Sequence, residues 1–173
     1  MNTLFQMKSE ITETYEKYVN TIYKVCFSFM KNTTDTEDMV QDTFIKFIKH
    51  SKPFNSEQHK KAWLIVTASN LCKDALKKAR RTTENIDDYT PSHIDKCDEN
   101  LISKSVLDLS PKYKTVVYLY YYEGYSIPEI AKMLKVRTST IKSQLSRART
   151  QLKSMLGDDI QLWKSLSKTP TTI

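Results

Sequence analysis

Glycine is scarce in this sequence. Only two of the 173 residues are glycine, whereas an average usage of about 7% would give roughly twelve. Tight β-hairpin turns and the loops that cradle nucleotide phosphates both depend on glycine. A hairpin-rich sheet and a glycine-loop nucleotide site are therefore not expected.

Cysteine is also rare. The three cysteines, Cys26, Cys72 and Cys97, are odd in number and have no close spacing to one another or to histidine. This pattern argues against a disulfide framework and against a zinc site. We expect buried or neutral thiols and no metal or other cofactor.

Long apolar runs are missing too. None approaches the roughly 18 residues that a membrane-spanning helix requires, and the polar N-terminal residues lack the apolar core of a secretory signal. We expect no membrane insertion and a cytoplasmic location.

Positive charge is abundant but unevenly distributed. The net charge of +7 arises from two basic blocks, residues 51–81 with eight Lys or Arg against two Asp or Glu, and residues 111–157 with nine against two. Residues 82–110 between them carry two basic and seven acidic residues. Clustered Lys and Arg release counterions from a polyanion, so two modules that contact nucleic acid explain the pattern. Two solvated helical faces explain the charge alone equally well.

Helical spacing of apolar residues dominates the chain. In the first half it predicts helices over 10–30, over 35–50 with Asp35 as N-cap, and over 62–81. On the third of these helices, the expected inner side consists of Trp63, Leu64, Val66, Thr67, Leu71, Ala75 and Leu76.

The second half predicts helices over 101–109 and 112–123, then two further helices. The expected fold is all-α, with two small helical domains joined by a flexible acidic linker, the second domain containing a helix-turn-helix. The expected boundaries are 1–81 for the first domain, 82–100 for the linker, 101–157 for the second domain and 158–173 for a tail.

The second basic block has the pattern of a helix-turn-helix. Ser126-Ile127-Pro128-Glu129 has the form of a capping box, Ala131 allows close approach of a neighbouring helix, and residues 135–137 form a turn. The last helix is expected to bury Ile141, Leu145, Ala148, Leu152 and Met155 before a cap at Gly157.

The opposite side of that last helix is polar and suits a major groove. The alternative is a helical hairpin that serves only packing, with solvated Arg and Lys side chains. The joint occurrence of the capping box, the alanine, the turn and the basic exposed face favours DNA binding. Arg147 can pair with a guanine edge, and Arg149 can hold the phosphate backbone. The candidate DNA-contacting residues here are Ser139, Lys142, Ser143, Ser146, Arg147 and Arg149.

An acidic patch lies on the second predicted helix. Asp38, Gln41 and Asp42 share one face at i, i+3 and i+4, opposite Val40 and Phe44. The patch fits an ordinary solvated face or a docking surface for a basic partner. Paired carboxylates for hydrolysis are a remote third alternative, because nothing else in the chain supplies a nucleophile, a metal or a substrate pocket.

The third predicted helix mixes Trp63 with polar and basic residues. Phosphate contacts and hydrogen bonds to a nucleic-acid strand suit such a helix, while Trp63 fits the core better than base stacking. The candidates on this helix are Asn70, Lys73, Lys77, Arg80 and Arg81.

Three segments together resemble one family, the small two-domain sigma factors of bacterial RNA polymerase, the extracytoplasmic-function (ECF) group of the sigma-70 family. DTEDMVQDTFIKFIKH at 35–50 resembles the helix that binds core polymerase. KKAWLIVTASNLCKDALKKARR at 60–81 resembles the segment that melts the promoter and reads its minus-ten element. Residues 109–156 are similar to the domain that reads the minus-thirty-five element.

The resemblance implies a role for each patch and excludes an enzyme. The acidic patch would dock on the clamp helices of the polymerase. The loop at 52–59 and the helix that starts near Lys60 would capture the melted strand, which adds Lys60 and Lys61 to the candidates. The last helix would read the upstream element. Implied partners are core RNA polymerase, promoter DNA and a separate anti-sigma factor. The alternative is a stand-alone helix-turn-helix regulator, which would tolerate loss of the acidic patch.

The sequence departs from the family pattern in the helix-turn-helix. Lys135 occupies a turn position that is often glycine, which implies backbone strain. Gln144 replaces a frequent arginine, and Arg137-Thr138-Ser139-Thr140 replaces a frequent Ser-x-Gly-Thr start. The promoter preference of relatives therefore does not transfer to this chain.

Overall fold

The computed structural model describes residues 2–82 and 104–156, which are helical and contain no strand. The chain divides into two compact units, Met1–Cys97 and Asp98–Ile173. The all-α prediction is confirmed. Cys97, most of the predicted linker, the cap at Gly157 and the tail at 158–173 lie outside the described residues. The helices are α1 (Asn2–Met30), α2 (Thr33–Ile48), α3 (Glu57–Thr82), α4 (Lys104–Asp108), α5 (Pro111–Val117), a π-helical turn (Tyr118–Tyr122), α6 (Ile127–Leu134) and α7 (Thr138–Leu156).

The first unit is a bundle in which α1, α2 and α3 each pack against the other two. Each helix contributes a row of apolar side chains, because residues three and four positions apart share one helical face. The buried side chains include Ile22, Cys26 and Phe27 of α1, Val40, Phe44 and Phe47 of α2, and Leu64, Ile65 and Cys72 of α3.

The predicted N-cap of α2 is wrong. Asn32, rather than Asp35, caps the helix: Asn32 Oδ1 accepts a hydrogen bond from the backbone N–H of Asp35 at 2.8 Å. Asp35 lies in the first turn, where a carboxylate is favoured by the helix dipole. The Asn32 side chain also donates to Asp35 Oδ2 at 2.7 Å, so the two residues fix the helix start together.

The third helix begins five residues earlier than predicted, at Glu57 instead of Ala62. Ser56 supplies the cap, because its Oγ accepts the backbone N–H of His59 at 3.1 Å. The first helix likewise begins at Asn2, in a stretch that has no glycine or proline to stop it.

The inner side of α3 is also shifted from the prediction. Trp63, Val66 and Thr67 are half-buried, whereas the small residues Ala68 and Cys72 are buried. α3 packs against both α1 and α2, so its buried surface is wider than one apolar stripe and includes small residues that let the helices approach.

The second unit is built from short helices packed on α7. Four of the five predicted inner residues of α7, Ile141, Leu145, Ala148 and Leu152, are buried. Met155 is 42% exposed, so its predicted burial is wrong. Leu152 packs in a cluster with Leu109, Tyr113, Val117 and Ala148. Met155, almost one helical turn after Leu152, is not part of this cluster.

The predicted helix over 112–123 is interrupted. α5 ends at Val117 and continues as a π-helical turn over Tyr118–Tyr122, in which the Glu123 N–H donates to the Tyr118 carbonyl at 3.2 Å. Pro111 occupies the first turn of α5, where its missing N–H costs no helical hydrogen bond.

Candidate functional site

The acidic patch of α2 lies on the exposed side of the first unit. Asp38, Gln41 and Asp42 are exposed, and the opposite side of α2 is buried. Ile45 and Ile48 continue the same face and are 45% and 51% exposed. The five residues form the α2 stripe, which is acidic at one end and apolar at the other. The sequence pattern placed only Asp38, Gln41 and Asp42 on this face and did not identify its apolar end.

An aromatic cluster follows α2. The rings of His50, Phe54 and Trp63 contact one another, with centroid distances of 4.8 Å for His50–Phe54, 4.7 Å for His50–Trp63 and 5.6 Å for Phe54–Trp63. His59 makes an edge-on contact with Phe54 at 5.6 Å. The cluster borders a cavity of about 490 Å³ formed by α1, the loop after α2 and the start of α3.

Lys60 is held by ion pairs at this cavity. Its Nζ lies 3.3 Å from Glu10 Oε1 and 3.4 Å from Glu57 Oε2, and its side chain is only 12% exposed. The Tyr18 hydroxyl donates to Glu57 Oε1 at 2.7 Å, and Lys17 Nζ lies 3.3 Å from the same oxygen. The hydrogen bond from Tyr18, followed by those two lysines, lowers the pKa of Glu57 against the opposing effect of burial. This network ties α1 to α3.

The seven candidate minus-ten residues of α3 lie in two separate parts of the helix. Five of them lie on one side of the C-terminal half: Asn70, Lys73, Lys77 and Arg80 follow at spacings of three, four and three residues, and Arg81 lies four residues after Lys77. Lys60 and Lys61 are about 15 Å away along the axis, at 1.5 Å per residue, and lie off this row. The structure therefore assembles five of the seven candidates.

Exposure within that row is graded. Asn70, Lys77, Arg80 and Arg81 are exposed, while Lys73 is half-buried. Burial is the main cause that lowers the pKa of Lys73, because the charged form loses solvation.

The second unit contains the predicted helix-turn-helix. The Ser126 N–H and Oγ both donate to Glu129 Oε2, at 2.7 and 2.6 Å, and complete a capping box at the start of α6. Lys135 has a left-handed backbone, with φ of 54°, which agrees with the strain implied by a lysine at this turn. The Val136 N–H closes the end of α6 by donating to the Ala131 carbonyl at 3.0 Å.

The outward side of α7 carries the candidate DNA-contacting residues. Five of the six are exposed, namely Ser139, Lys142, Ser143, Ser146 and Arg147. This exposure follows from the burial of Ile141, Leu145, Ala148 and Leu152 on the opposite side.

A tyrosine hydroxyl contacts an arginine of α7. Arg149 is half-buried, and its Nε–H donates to the Tyr121 hydroxyl at 2.7 Å. The cation of Lys112, and to a smaller extent that of Arg147, lowers the pKa of Tyr113 against the opposing effect of burial. Helical periodicity gave no signal for the contact between Tyr121 and Arg149.

Chemistry of other kinds finds little support in the part of the chain that the structure describes. It contains no group of three or more His, Cys, Asp or Glu side chains placed to hold a metal ion. Cys26 and Cys72 are buried thiols. Among the described helices, none is long and apolar enough to cross a membrane.

The capped α6, the left-handed turn and the exposed side of α7 define a helix-turn-helix DNA-binding protein. Two family sequence models identify it further: Sigma-70 region 2 matches residues 14–82, and Sigma-70 region 4 matches residues 100–152. The chain belongs to the sigma-70 family of RNA polymerase sigma factors, in its ECF group.

Characterised relatives agree with this membership. The chain is 27% identical to the ECF RNA polymerase sigma factor SigW of Bacillus subtilis over 160 residues, which cover 82% of this chain and 86% of SigW. It is 26% identical to SigM of the same organism over 155 residues, which cover 84% of this chain and 94% of SigM.

A solved structure shares the fold. It is the sigma factor RpoE of Bartonella quintana, crystallised in complex with the anti-sigma factor NepR. The similarity has a TM-score of 0.69 at 24% identity and covers 87% of this chain and 98% of the other.

Proposed function

We propose that this chain binds core RNA polymerase and directs transcription initiation at promoters that carry minus-ten and minus-thirty-five elements. The observation that carries the proposal is the order of two Sigma-70 regions along one chain, residues 14–82 and then 100–152. A stand-alone helix-turn-helix regulator would need only the second region. Because a sigma factor is a regulatory subunit rather than an enzyme, the hydrolase alternative is dropped.

The α2 stripe is the proposed polymerase contact. Asp38, Gln41 and Asp42 offer two carboxylates and an amide to a basic partner surface, and Ile45 and Ile48 offer apolar area beside them. Interfaces combine an apolar centre with a polar rim that fixes orientation. The stripe therefore suits a protein partner better than a phosphate backbone, which its carboxylates would repel.

The C-terminal half of α3 is the proposed minus-ten contact. Lys77, Arg80 and Arg81 can neutralise phosphates of the melted strand, and Asn70 can hydrogen-bond to a base. Lys60 and Lys61 belong to the same proposed region. For Lys60 to bind a phosphate, it would have to exchange its ion pairs with Glu10 and Glu57.

The outward side of α7 is the proposed minus-thirty-five contact. Arg147 is the candidate for base readout, since a guanidinium pairs bidentately with guanine. Lys142 and Arg149 can hold phosphates on either side of the groove, and Ser139, Ser143 and Ser146 can reach bases or phosphates.

Control and location complete the proposal. A separate anti-sigma protein would hold the chain inactive, which is consistent with the complex in which the RpoE structure was crystallised. Transcription also requires a cytoplasmic location. The proposed division of labour assigns residues 1–81 to polymerase binding and the minus-ten element, 82–100 to a linker and 101–157 to the upstream element.

Transcription with purified core polymerase tests the proposal. Genomic fragments from the host are transcribed with and without the protein, and the RNA 5′ ends are sequenced. New discrete starts that share two upstream elements are expected. If the protein binds DNA but neither binds core polymerase nor creates starts, the stand-alone regulator is correct instead.

A further inference from the structure

Tyr121 contacts a candidate DNA-binding side chain from outside the recognition helix. It lies in the π-helical turn, and its hydroxyl accepts the Nε–H of Arg149 at 2.7 Å. We propose that Tyr121 is a positioning residue, whose hydroxyl holds the Arg149 guanidinium in the orientation that binds a DNA backbone phosphate. The inference rests on the proposed function. It adds Tyr121, which lies outside the helix-turn-helix, to the residues that support DNA binding.

The Tyr121 ring is fixed by its packing. It lies against the buried cluster that includes Val117, Ala148 and Leu152, and the Tyr120 ring meets it edge-on at 4.9 Å between centroids and 87° between planes. Because Ala148 directly precedes Arg149 in α7, the same contact that buries the ring brings the hydroxyl to the arginine. The hydroxyl is thus a rigid acceptor.

The contact with Tyr121 leaves most of the guanidinium available. Arginine has five N–H donors, and Nε carries only one of them. The four N–H groups on the two terminal nitrogens match the oxygens of a phosphate. A neutral acceptor at Nε orients the group without cancelling its charge.

Arg149 also lies in a row that suits a phosphate backbone. Lys142, Ser146, Arg149 and Lys153 follow one another at intervals of four, three and four residues, which places them on one side of α7. Of these four, Arg149 is the half-buried member and the one held by another helical segment. Holding one long side chain before binding reduces the conformational entropy lost on binding.

A double-mutant cycle tests the inference. The full chain is assembled with core polymerase and titrated with a labelled promoter fragment taken from the strongest start of the transcription experiment. Ordering one flexible side chain corresponds to an affinity change of about two- to tenfold, so Tyr121→Phe is expected to weaken binding by that factor. The matched control is Tyr120→Phe, which removes the neighbouring hydroxyl and is expected to leave affinity unchanged.

The coupling to Arg149 separates positioning from a general structural role. Arg149→Ala should weaken binding by about tenfold and lower the slope of log affinity against log salt by about one, as for one lost phosphate contact. In that background, Tyr121→Phe should have no further effect. Thermal unfolding of each variant verifies that the second unit stays folded.

Three results would overturn the inference. Tyr121→Phe could bind like the wild type, its effect could persist unchanged in the Arg149→Ala background, or Arg149→Ala could leave the salt slope unaltered. Failure of the wild-type protein to bind core polymerase is a separate result, which removes the proposed function and this inference with it.

Discussion

The two units treat their charged side chains differently. In the first unit, Lys60 is nearly buried and forms ion pairs with Glu10 and Glu57. A lysine that is a candidate DNA-contacting residue therefore also helps to join α1 to α3. In the second unit, Lys142 and Arg147 lie on an exposed helix side whose opposite side forms the core. Basic composition alone therefore does not separate a binding residue from a structural one; the neighbouring carboxylates do.

The comparison makes the two units respond differently to mutation. On α7, a change in an outward side chain is expected to alter binding without loss of stability, because surface substitutions away from caps and networks have small effects on stability. At the start of α3, substitution of a charged side chain removes contacts between helices and is therefore expected to lower stability.

The largest expected effect is on the α2 stripe. Asp38→Ala with Asp42→Ala removes both carboxylates from the proposed interface and should weaken polymerase binding on the order of 100-fold, about tenfold for each lost charge contact with the basic partner surface. Affinity for core polymerase is measured by fluorescence titration. Glu13→Ala with Glu16→Ala, which removes two exposed carboxylates from α1, is the matched control. Equal weakening by both pairs would show a nonspecific charge effect.

Arg147 gives the next largest effect. Arg147→Ala should cost about 1–3 kcal/mol of promoter binding and relax base preference at one position of the upstream element. Selection of bound sequences from a randomised upstream element measures both changes, and Lys132→Ala, an exposed lysine on α6, is the control. An unchanged base preference would remove Arg147 from base readout.

The capping box predicts a smaller effect, on stability. Ser126→Ala should lower the free energy of unfolding by about 1 kcal/mol, since it removes a helix cap. The hydrogen bonds from Ser126 lower the pKa of Glu129, so this contribution is present above the unfolded pKa of about 4.5 and is lost as pH falls through the lower folded pKa. Urea unfolding at neutral and acidic pH should show the gap between the two proteins closing in acid. A gap that stays constant would contradict this origin.

The smallest effect tests the comparison between lysines. Lys60→Gln should lower the free energy of unfolding by about 0.5 kcal/mol, because it breaks partly exposed ion pairs. Lys77→Gln on the exposed part of α3 should leave stability unchanged and weaken binding to the melted strand. Urea unfolding and titration with a single-stranded minus-ten oligonucleotide measure the two effects. If Lys60→Gln weakens only DNA binding and leaves the free energy of unfolding unchanged, the structural role assigned to Lys60 is wrong.

Sequence reasoning worked best where one helix alone decides the outcome. The burial of Ile141 and Leu145 and the exposure of Ser143 and Arg147 follow from the 3.6-residue period, since α7 has a single inner side. The capping box at Ser126 was readable for the same reason, because both of its partners are local.

It failed at two local caps, Asn32 for α2 and Ser56 for α3, and wherever distant residues decide. Glu57, at the start of α3, accepts a hydrogen bond from Tyr18, thirty-nine positions away. The contact between Tyr121 and Arg149 joins residues twenty-eight positions apart. Periodicity assigns a side chain to a face but does not identify the partner that it meets there.

The roles assigned to the site residues remain predictions. The family matches cover both regions, but they assign no role to an individual residue. The contacts in the structure divide the candidates into those already engaged, such as Lys60, and those exposed, such as Lys77. That division makes the residue roles separable by experiment.

Transcription-start sequencing with three proteins tests the division of labour most directly. Wild type, the Asp38→Ala and Asp42→Ala double variant, and Arg147→Ala are each added to core polymerase on the same genomic fragments, and polymerase binding is measured in parallel. We predict that the double variant loses both polymerase binding and all new starts, while Arg147→Ala still binds polymerase and loses starts that depend on the upstream element. Full activity of the double variant would contradict this division of labour.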